Sequence, residues 1–146
     1  MISAERRADV VWTGTLAQGN GVLQLHSGVA TDLPVTWASR TERSEGKTSP
    51  EELVAAAHAS CFSMALSGGL AEAGTPPDEL RVSATVTFAQ TDAGFRVASS
   101  RLAVQGKVPG LDADGFAAAT EAAKDGCPIS QALKGNVDLS VTASLM

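Results

Sequence analysis

The chain has few residues of the kinds that bind metals, nucleic acids or anionic surfaces. Its 146 residues include only two cysteines, Cys61 and Cys127, and two histidines. No C-x-x-C is present and the Cys and His spacings match no zinc pattern, so we expect no metal site. The formal net charge is -5 without a Lys/Arg run, which argues against nucleic acid and anionic membranes as partners. Two cysteines are also too few for a disulfide-dense secreted scaffold.

Long apolar segments are missing as well. The N-terminus has no apolar stretch of signal-peptide length, and we expect no membrane span of roughly 20 apolar residues. The expected location is therefore cytoplasmic. The cytosol is reducing, so a persistent structural disulfide is rare there, whereas a transient catalytic disulfide is more plausible. The length fits a single domain, residues 1–146, and we expect no linker or internal repeat.

The order of predicted elements indicates an α+β fold, with antiparallel sheets packed on a long central apolar helix. Alternating apolar and polar residues and turn signals predict strands at residues 9–13, 21–26, 35–39, 80–88, 95–104 and 137–145. Helices are predicted at residues 50–73, from Asp112 or Asp114 to 126, and at 128–133. Residues 41–49 are polar and predict a loop.

The long helix has the strongest signal. Ser49 is a capping residue, Pro50 suits the first helical position, Glu52 completes a capping box, and Gly74 ends the helix. The helix is apolar nearly all round, with two stripes: Leu53, Ala57, Cys61 and Met64, and Val54, His58, Phe62 and Leu66. A small domain cannot easily enclose such a helix, so a partner subunit is a natural way to cover it.

Taken locally, the two cysteines allow three interpretations: a structural bridge, two inert core thiols, or a redox couple. Cys61 lies in an apolar helix and resembles inert packing, because a buried thiol without a positive neighbour keeps a high pKa. No cation lies within a helical turn of it, so one would have to come from elsewhere in the fold. Cys127 precedes Pro128 and is either the N-cap of a short helix, where its thiolate is favoured, or a small turn residue.

Other candidate residues have plain structural interpretations too. His58 lies one turn before Cys61 and could assist the thiol, but a satisfied core histidine is the simpler interpretation. His26 is interpreted as structural. Glu51 can serve the helix start, and the loop arginines Arg40 and Arg43 would ordinarily be solvated.

Two segments resemble the signatures of a known family. Residues 48–66, TSPEELVAAAHASCFSMAL, and residues 125–133, DGCPISQAL, each contain one cysteine and resemble the osmotically inducible protein C / organic hydroperoxide resistance family (OsmC/Ohr). Residues 28–29, 92–95 and 108–112 also fit, so the resemblance covers nearly the whole chain. The residues flanking Cys61, at 57–58 and 62–66, place the chain closer to the OsmC branch.

The resemblance implies a thiol-dependent peroxidase of the oxidative stress response, acting on organic hydroperoxides and less well on hydrogen peroxide. Cys61 would attack the peroxide and become a sulfenic acid, and Cys127 would resolve it as a disulfide. The family's thiolate-holding Arg would be Arg40, with Arg43 as the fallback because the intervening loop is about one residue longer here, and its orienting Glu would be Glu51. No bound cofactor is implied; an external dithiol such as a lipoyl group would be the reductant.

The family fold is an intertwined homodimer with shared active sites, which agrees with the apolar helix. Glu51 and Cys61 are ten residues apart, or ~15 Å along a regular helix, so we hypothesise that Glu51 of one chain serves Cys61 of the other. We expect an apolar site lined by residues such as Phe62 and Met64, favouring bulky organic substrates. The alternative function is a non-catalytic dimer that binds an apolar ligand and has redox-sensitive cysteines.

Overall fold

The computed structural model describes all residues, 1–146, as two compact units: residues 1–50 and residues 51–146. The assignment of a single domain stays a prediction. The elements are mixed α and β, as expected, and form two three-stranded sheets. In chain order they are β1 (Ala8–Thr13), β2 (Asn20–Leu25), β3 (Leu33–Val35), α1 (Trp37–Thr41), α2 (Pro50–Glu72), β4 (Glu79–Thr91), β5 (Gly94–Lys107), α3 (Ala113–Gly126), α4 (Pro128–Leu133) and β6 (Asp138–Leu145).

The first unit is an antiparallel sheet in the order β1-β2-β3, followed by the short helix α1. The predicted strand at residues 35–39 was wrong beyond Val35. Thr36 instead caps α1: its side chain accepts a hydrogen bond from the Ser39 backbone N–H, and the Ser39 hydroxyl accepts one from the Thr36 N–H. This reciprocal capping box satisfies two helix-end donors and outweighs the β propensity of the segment.

Helix α2 confirms the strongest sequence signal. It runs for 23 residues from Pro50, and Gly74 follows it with the positive φ of 87° that a helix-ending glycine adopts. Its buried residues form one stripe, which continues through His58, Phe62 and Leu66 to Leu70. The opposite stripe is more open, and Met64 is 72% exposed. The chain itself therefore covers one side of α2.

The expectation that no segment is long and apolar enough to cross a membrane was wrong. Helix α2 meets that criterion by length and composition, with a mean hydropathy of 1.4 over its most apolar window. The core helix of a water-soluble protein meets the same criterion, so one such helix is weak evidence for a membrane protein. One stripe of α2, from His58 to Leu70, is fully buried within the chain, whereas 22% of the apolar window as a whole is buried.

The second sheet is mixed, which corrects the prediction of purely antiparallel sheets. Strands β4 and β5 form the expected antiparallel hairpin, and Gly94, at a φ of 101°, supplies the left-handed turn residue. Strand β6 pairs in parallel with β5. Helices α3 and α4 form the crossover between β5 and β6, and a connection of that length is what a parallel pair needs.

The core of the second unit lies between its helices and one face of the mixed sheet. Its fully buried aromatic residues are Phe62 from α2 and Phe116 from α3. Asp112, one of the two predicted capping residues, caps α3. Leu102 and Val104 contribute from β5. Each such buried apolar side chain contributes about 1.5–3 kcal/mol, so this cluster fixes the positions of α2 and of the α3–α4 segment.

Candidate active site

Cys61 lies at the middle of α2, half-buried, with its side chain packed against the core cluster that contains Cys127. Burial raises the pKa of the Cys61 thiol. A hydrogen bond from the Ile129 backbone opposes this effect, and the neighbouring Cys127 side chain adds to it. The residues of the second unit alone therefore favour the protonated thiol over the reactive thiolate.

Cys127 is fully buried and is the N-cap of α4, which is one of the two alternatives that the sequence left open. Its sulfur accepts a hydrogen bond from the Ser130 backbone N–H at 3.3 Å and lies 3.1 Å from the Ser130 hydroxyl oxygen. Both Cys127 and the backbone of Ile129 interact with Cys61, so the start of α4 lies against the middle of α2. The structure thus brings together two cysteines that are 66 positions apart in sequence, and both are free thiols.

His58 is a fully buried histidine whose two ring nitrogens both have partners. Its Nδ1 lies 2.6 Å from the Ser100 hydroxyl on β5, and its Nε2 lies 2.8 Å from the Ser130 hydroxyl on α4. Burial lowers the pKa of His58, so the neutral imidazole is favoured. The simpler sequence interpretation, a satisfied core histidine, agrees with these contacts. The hydrogen bonds lead to Cys127 through Ser130, whereas helical spacing had pointed to Cys61.

Sequence reasoning missed Ser100 and Ser130. Both are buried polar residues, at 0% and 1% exposure, and both are tied to His58. The position of Ser130 could have indicated its contact with Cys127. It is the third residue after the possible N-cap Cys127, and capping hydrogen bonds join those two positions. Ser100 carried no such signal, since its partner is 42 positions away in sequence.

The remaining predicted site residues occupy defined places. Glu51 is buried, at 6% exposure, in the first turn of α2. Because α2 is continuous from Pro50 to Glu72, the ten residues between Glu51 and Cys61 span ~15 Å along its axis. Arg40 is half-buried in the last turn of α1, whereas Arg43 follows α1 and is exposed.

Metal ligands do not cluster in this structure. No group of three or more His, Cys, Asp or Glu side chains is placed to hold an ion. The site therefore offers the chemistry of two neighbouring thiols. The imidazole of His58 reaches one of them, Cys127, through the Ser130 hydroxyl.

Comparison with known proteins identifies the family. The model of the OsmC-like protein family matches residues 43–142. The chain is 40% identical over 138 residues to the protein named peroxiredoxin OsmC of Escherichia coli K12, covering 94% of this chain and 96% of that protein. It is 34% identical over 97 residues to an organic hydroperoxide resistance protein of Xanthomonas axonopodis pv. citri, covering 65% and 66% of the two chains.

Solved structures agree on the fold. The crystal structure of the organic hydroperoxide resistance protein OhrB of Bacillus subtilis matches with a TM-score of 0.75 at 26% identity, over 94% of this chain and 98% of that one. The corresponding protein of Elizabethkingia anophelis matches with a TM-score of 0.76 at 25% identity, over 99% and 100%. The chain therefore belongs to the OsmC-like protein family and is more similar to the Escherichia coli OsmC than to these organic hydroperoxide resistance proteins.

Proposed function

We propose that the protein is a thiol-dependent peroxidase that reduces organic hydroperoxides and, less well, hydrogen peroxide. The observation that carries this proposal is the proximity of two free thiols from distant parts of the chain, because Cys61 packs against the core cluster that contains Cys127. The names of the relatives, a peroxiredoxin and organic hydroperoxide resistance proteins, support a redox function of the peroxidase type.

The reaction follows from sulfur chemistry. The Cys61 thiolate attacks one oxygen of the O–O bond, the bond breaks, and the alcohol leaves while Cys61 becomes a sulfenic acid. Cys127 then attacks the sulfenic sulfur, a disulfide forms and water leaves. An external dithiol, such as a lipoyl group, returns both cysteines to thiols by exchange. No bound cofactor takes part in these steps.

A cation has to offset the raised pKa of Cys61. Burial is the main cause of that increase, and a positive charge near the sulfur is the usual way to favour a buried thiolate. We propose Arg40 for this role, with Arg43 as the alternative, and Glu51 as the carboxylate that orients the arginine. The burial of Glu51 supports a role beyond solvation, because carboxylates are almost never buried unless paired.

We further propose a cytoplasmic homodimer with shared active sites. The open side of α2, with Met64 at 72% exposure, is the apolar surface that a second copy would cover. Because Glu51 and Cys61 lie ~15 Å apart along one helix, Glu51 would serve the Cys61 of the partner copy.

A coupled assay tests the peroxidase. Turnover of an organic hydroperoxide with dihydrolipoamide is measured for the wild type, Cys61→Ser and Cys127→Ser. We expect Cys61→Ser to abolish turnover, and Cys127→Ser to stop cycling after about one peroxide per site, because the sulfenic acid still forms but is not resolved. Normal turnover by Cys61→Ser would refute the Cys61-dependent peroxidase. Absence of turnover in the wild type would favour the alternative, a non-catalytic protein that binds an apolar ligand.

A further inference from the structure

The buried contacts around His58 form one continuous chain of hydrogen bonds that ends at a reactive sulfur. In order, it links the Ser100 hydroxyl, the His58 ring, the Ser130 hydroxyl and the Cys127 sulfur, over distances of 2.6, 2.8 and 3.1 Å. All four residues are at most 1% exposed. No buried side-chain nitrogen or oxygen lacks a partner, so the chain is complete. Water therefore has little access to the Cys127 thiol, and its proton needs another acceptor.

With the Cys127 thiol as the donor, the bonds of the chain follow one another in a consistent direction. The Cys127 thiol donates to the Ser130 oxygen, so the single Ser130 proton is directed to the His58 Nε2. A neutral imidazole whose Nε2 accepts must carry its proton on Nδ1, which then donates to the Ser100 hydroxyl. Every donor is matched to an acceptor, and His58 Nε2 is the basic end of the path that starts at Cys127.

We propose that Ser130 takes the proton of Cys127 as that thiol attacks the Cys61 sulfenic acid, and that His58 receives it through Ser130. This inference rests on the proposed function. Ser130 touches the reacting sulfur and is the catalytic residue of the pair. His58 acts through Ser130 and is the positioning residue, which aims the hydroxyl and holds the proton.

The step balances. The thiol of Cys127 and the sulfenic acid of Cys61 give one disulfide and one water: the S–S bond forms and the S–O bond of Cys61 breaks. The Cys127 sulfur is oxidised and the Cys61 sulfur is reduced, so no outside oxidant is needed. The thiol proton moves to the Ser130 oxygen while the Ser130 proton moves to His58 Nε2. The imidazolium then returns a proton to the released hydroxide, which leaves as water.

The titratable groups next to His58 are the two thiols, Cys61 and Cys127. On α2 the next titratable residue is Cys61, one turn away, and Glu51 lies two turns before His58. Strand β5 presents the Ser100 hydroxyl, and its arginines and lysine are exposed; the start of α4 presents Ser130 and Cys127. Burial is the cause of the lowered pKa of His58, without a contribution from a charged neighbour.

A single-turnover experiment separates the two chemical steps. Reduced protein is mixed with one equivalent of cumene hydroperoxide, and loss of peroxide and formation of the disulfide are followed separately. The variants are His58→Gln, which can bond Ser130 but cannot take a proton, and Ser130→Ala, which breaks the path. The matched controls are His26→Gln, an exposed histidine, and Thr120→Val, a buried hydroxyl that bonds the Ala117 carbonyl of its own helix.

We expect both relay variants to consume peroxide within about twofold of the wild type and to form the disulfide roughly 10²-fold more slowly, the usual effect of losing a proton acceptor. Both controls should match the wild type in both steps. Between roughly pH 6.5 and 8 the wild-type rate of disulfide formation should be nearly flat, because neutral His58 takes the proton. In His58→Gln it should rise about tenfold per pH unit, because hydroxide ion then has to take the proton.

The pH profile distinguishes a relay from mere packing. A slower His58→Gln with a profile parallel to the wild type, or a wild-type rate in both variants, would overturn the relay while leaving the peroxidase intact. Absence of peroxide loss in the wild type would overturn the proposed function and this inference with it. If neither variant folds, the pH profile of the wild type tests the relay. A tenfold rise per pH unit in the wild-type rate of disulfide formation would overturn it.

Discussion

Acid should destabilise this protein in a pH window set by His58. His58 is fully buried, and burial lowers its pKa from the ordinary value of 6.5. As pH falls below 6.5, the unfolded chain binds a proton at this residue before the folded chain does. The stability contributed by the neutral imidazole is therefore complete above 6.5 and is lost as pH falls from there towards the lower pKa of the folded state.

The magnitude is bounded by one proton. A single group changes the free energy of unfolding by at most ~1.4 kcal/mol per pH unit. For a chain of this size, that corresponds to a melting temperature lower by about 3–6 °C for each pH unit below the window's upper edge. Asp9 acts in a separate window, because His26 and Arg7 lower its pKa from 3.8 and its contribution is lost only at more acid pH.

Thermal unfolding followed by circular dichroism at about pH 7.5 and 5.5 and at fixed protein concentration measures the effect. His58→Gln should be less stable at the higher pH but should lose less stability on acidification than the wild type. His26→Gln should retain the acid loss caused by His58. If His58→Gln and the wild type lose equal stability on acidification, His58 does not have the lowered pKa that its burial implies.

Two further predictions concern packing and the proposed homodimer. Gly106→Ala should destabilise the protein by about 1–3 kcal/mol in urea unfolding, because an added Cβ would collide with the Phe116 ring. The control is Gly126→Ala, because nothing lies within 4 Å of a Cβ added there. It should change the free energy of unfolding by less than about 0.5 kcal/mol. The Glu51→Gln and Cys61→Ser variants are each expected to be inactive. Mixing them, followed by subunit exchange, should restore about a quarter of wild-type turnover, because half of the dimers gain one intact site. No recovery despite confirmed exchange would place Glu51 and Cys61 in the same chain's site.

The sequence predicted those elements whose signals are local. Helix α2 carries a Pro at its start, a Gly after its end and an apolar run between them, so its bounds were predictable within about one residue. The hairpin of β4 and β5 was predictable from alternation and from the turn at Gly94. Helix α1 was not, because five residues carry little periodicity and its start depends on the exchange of hydrogen bonds between Thr36 and Ser39.

The non-local features could not be predicted in the same way. Alternating residues indicate that β6 is a strand, but the parallel direction of its pairing depends on how α3 and α4 return the chain. The cysteines were identified from the segments around them, yet their interaction is a tertiary contact. His58 shows the limit most clearly: helical spacing relates it to Cys61, whereas its actual partner Ser130 is 72 positions away.

The proposed peroxidase requires that Cys61 and Cys127 form a catalytic pair with unequal roles. Intact-mass measurement of the reduced protein after one equivalent of cumene hydroperoxide tests it most directly. We expect the wild type to lose two hydrogens as the disulfide forms, Cys127→Ser to gain one oxygen at Cys61, and Cys61→Ser to be unchanged. Addition of oxygen to Cys127 in the Cys61→Ser variant, with no disulfide in the wild type, would contradict it.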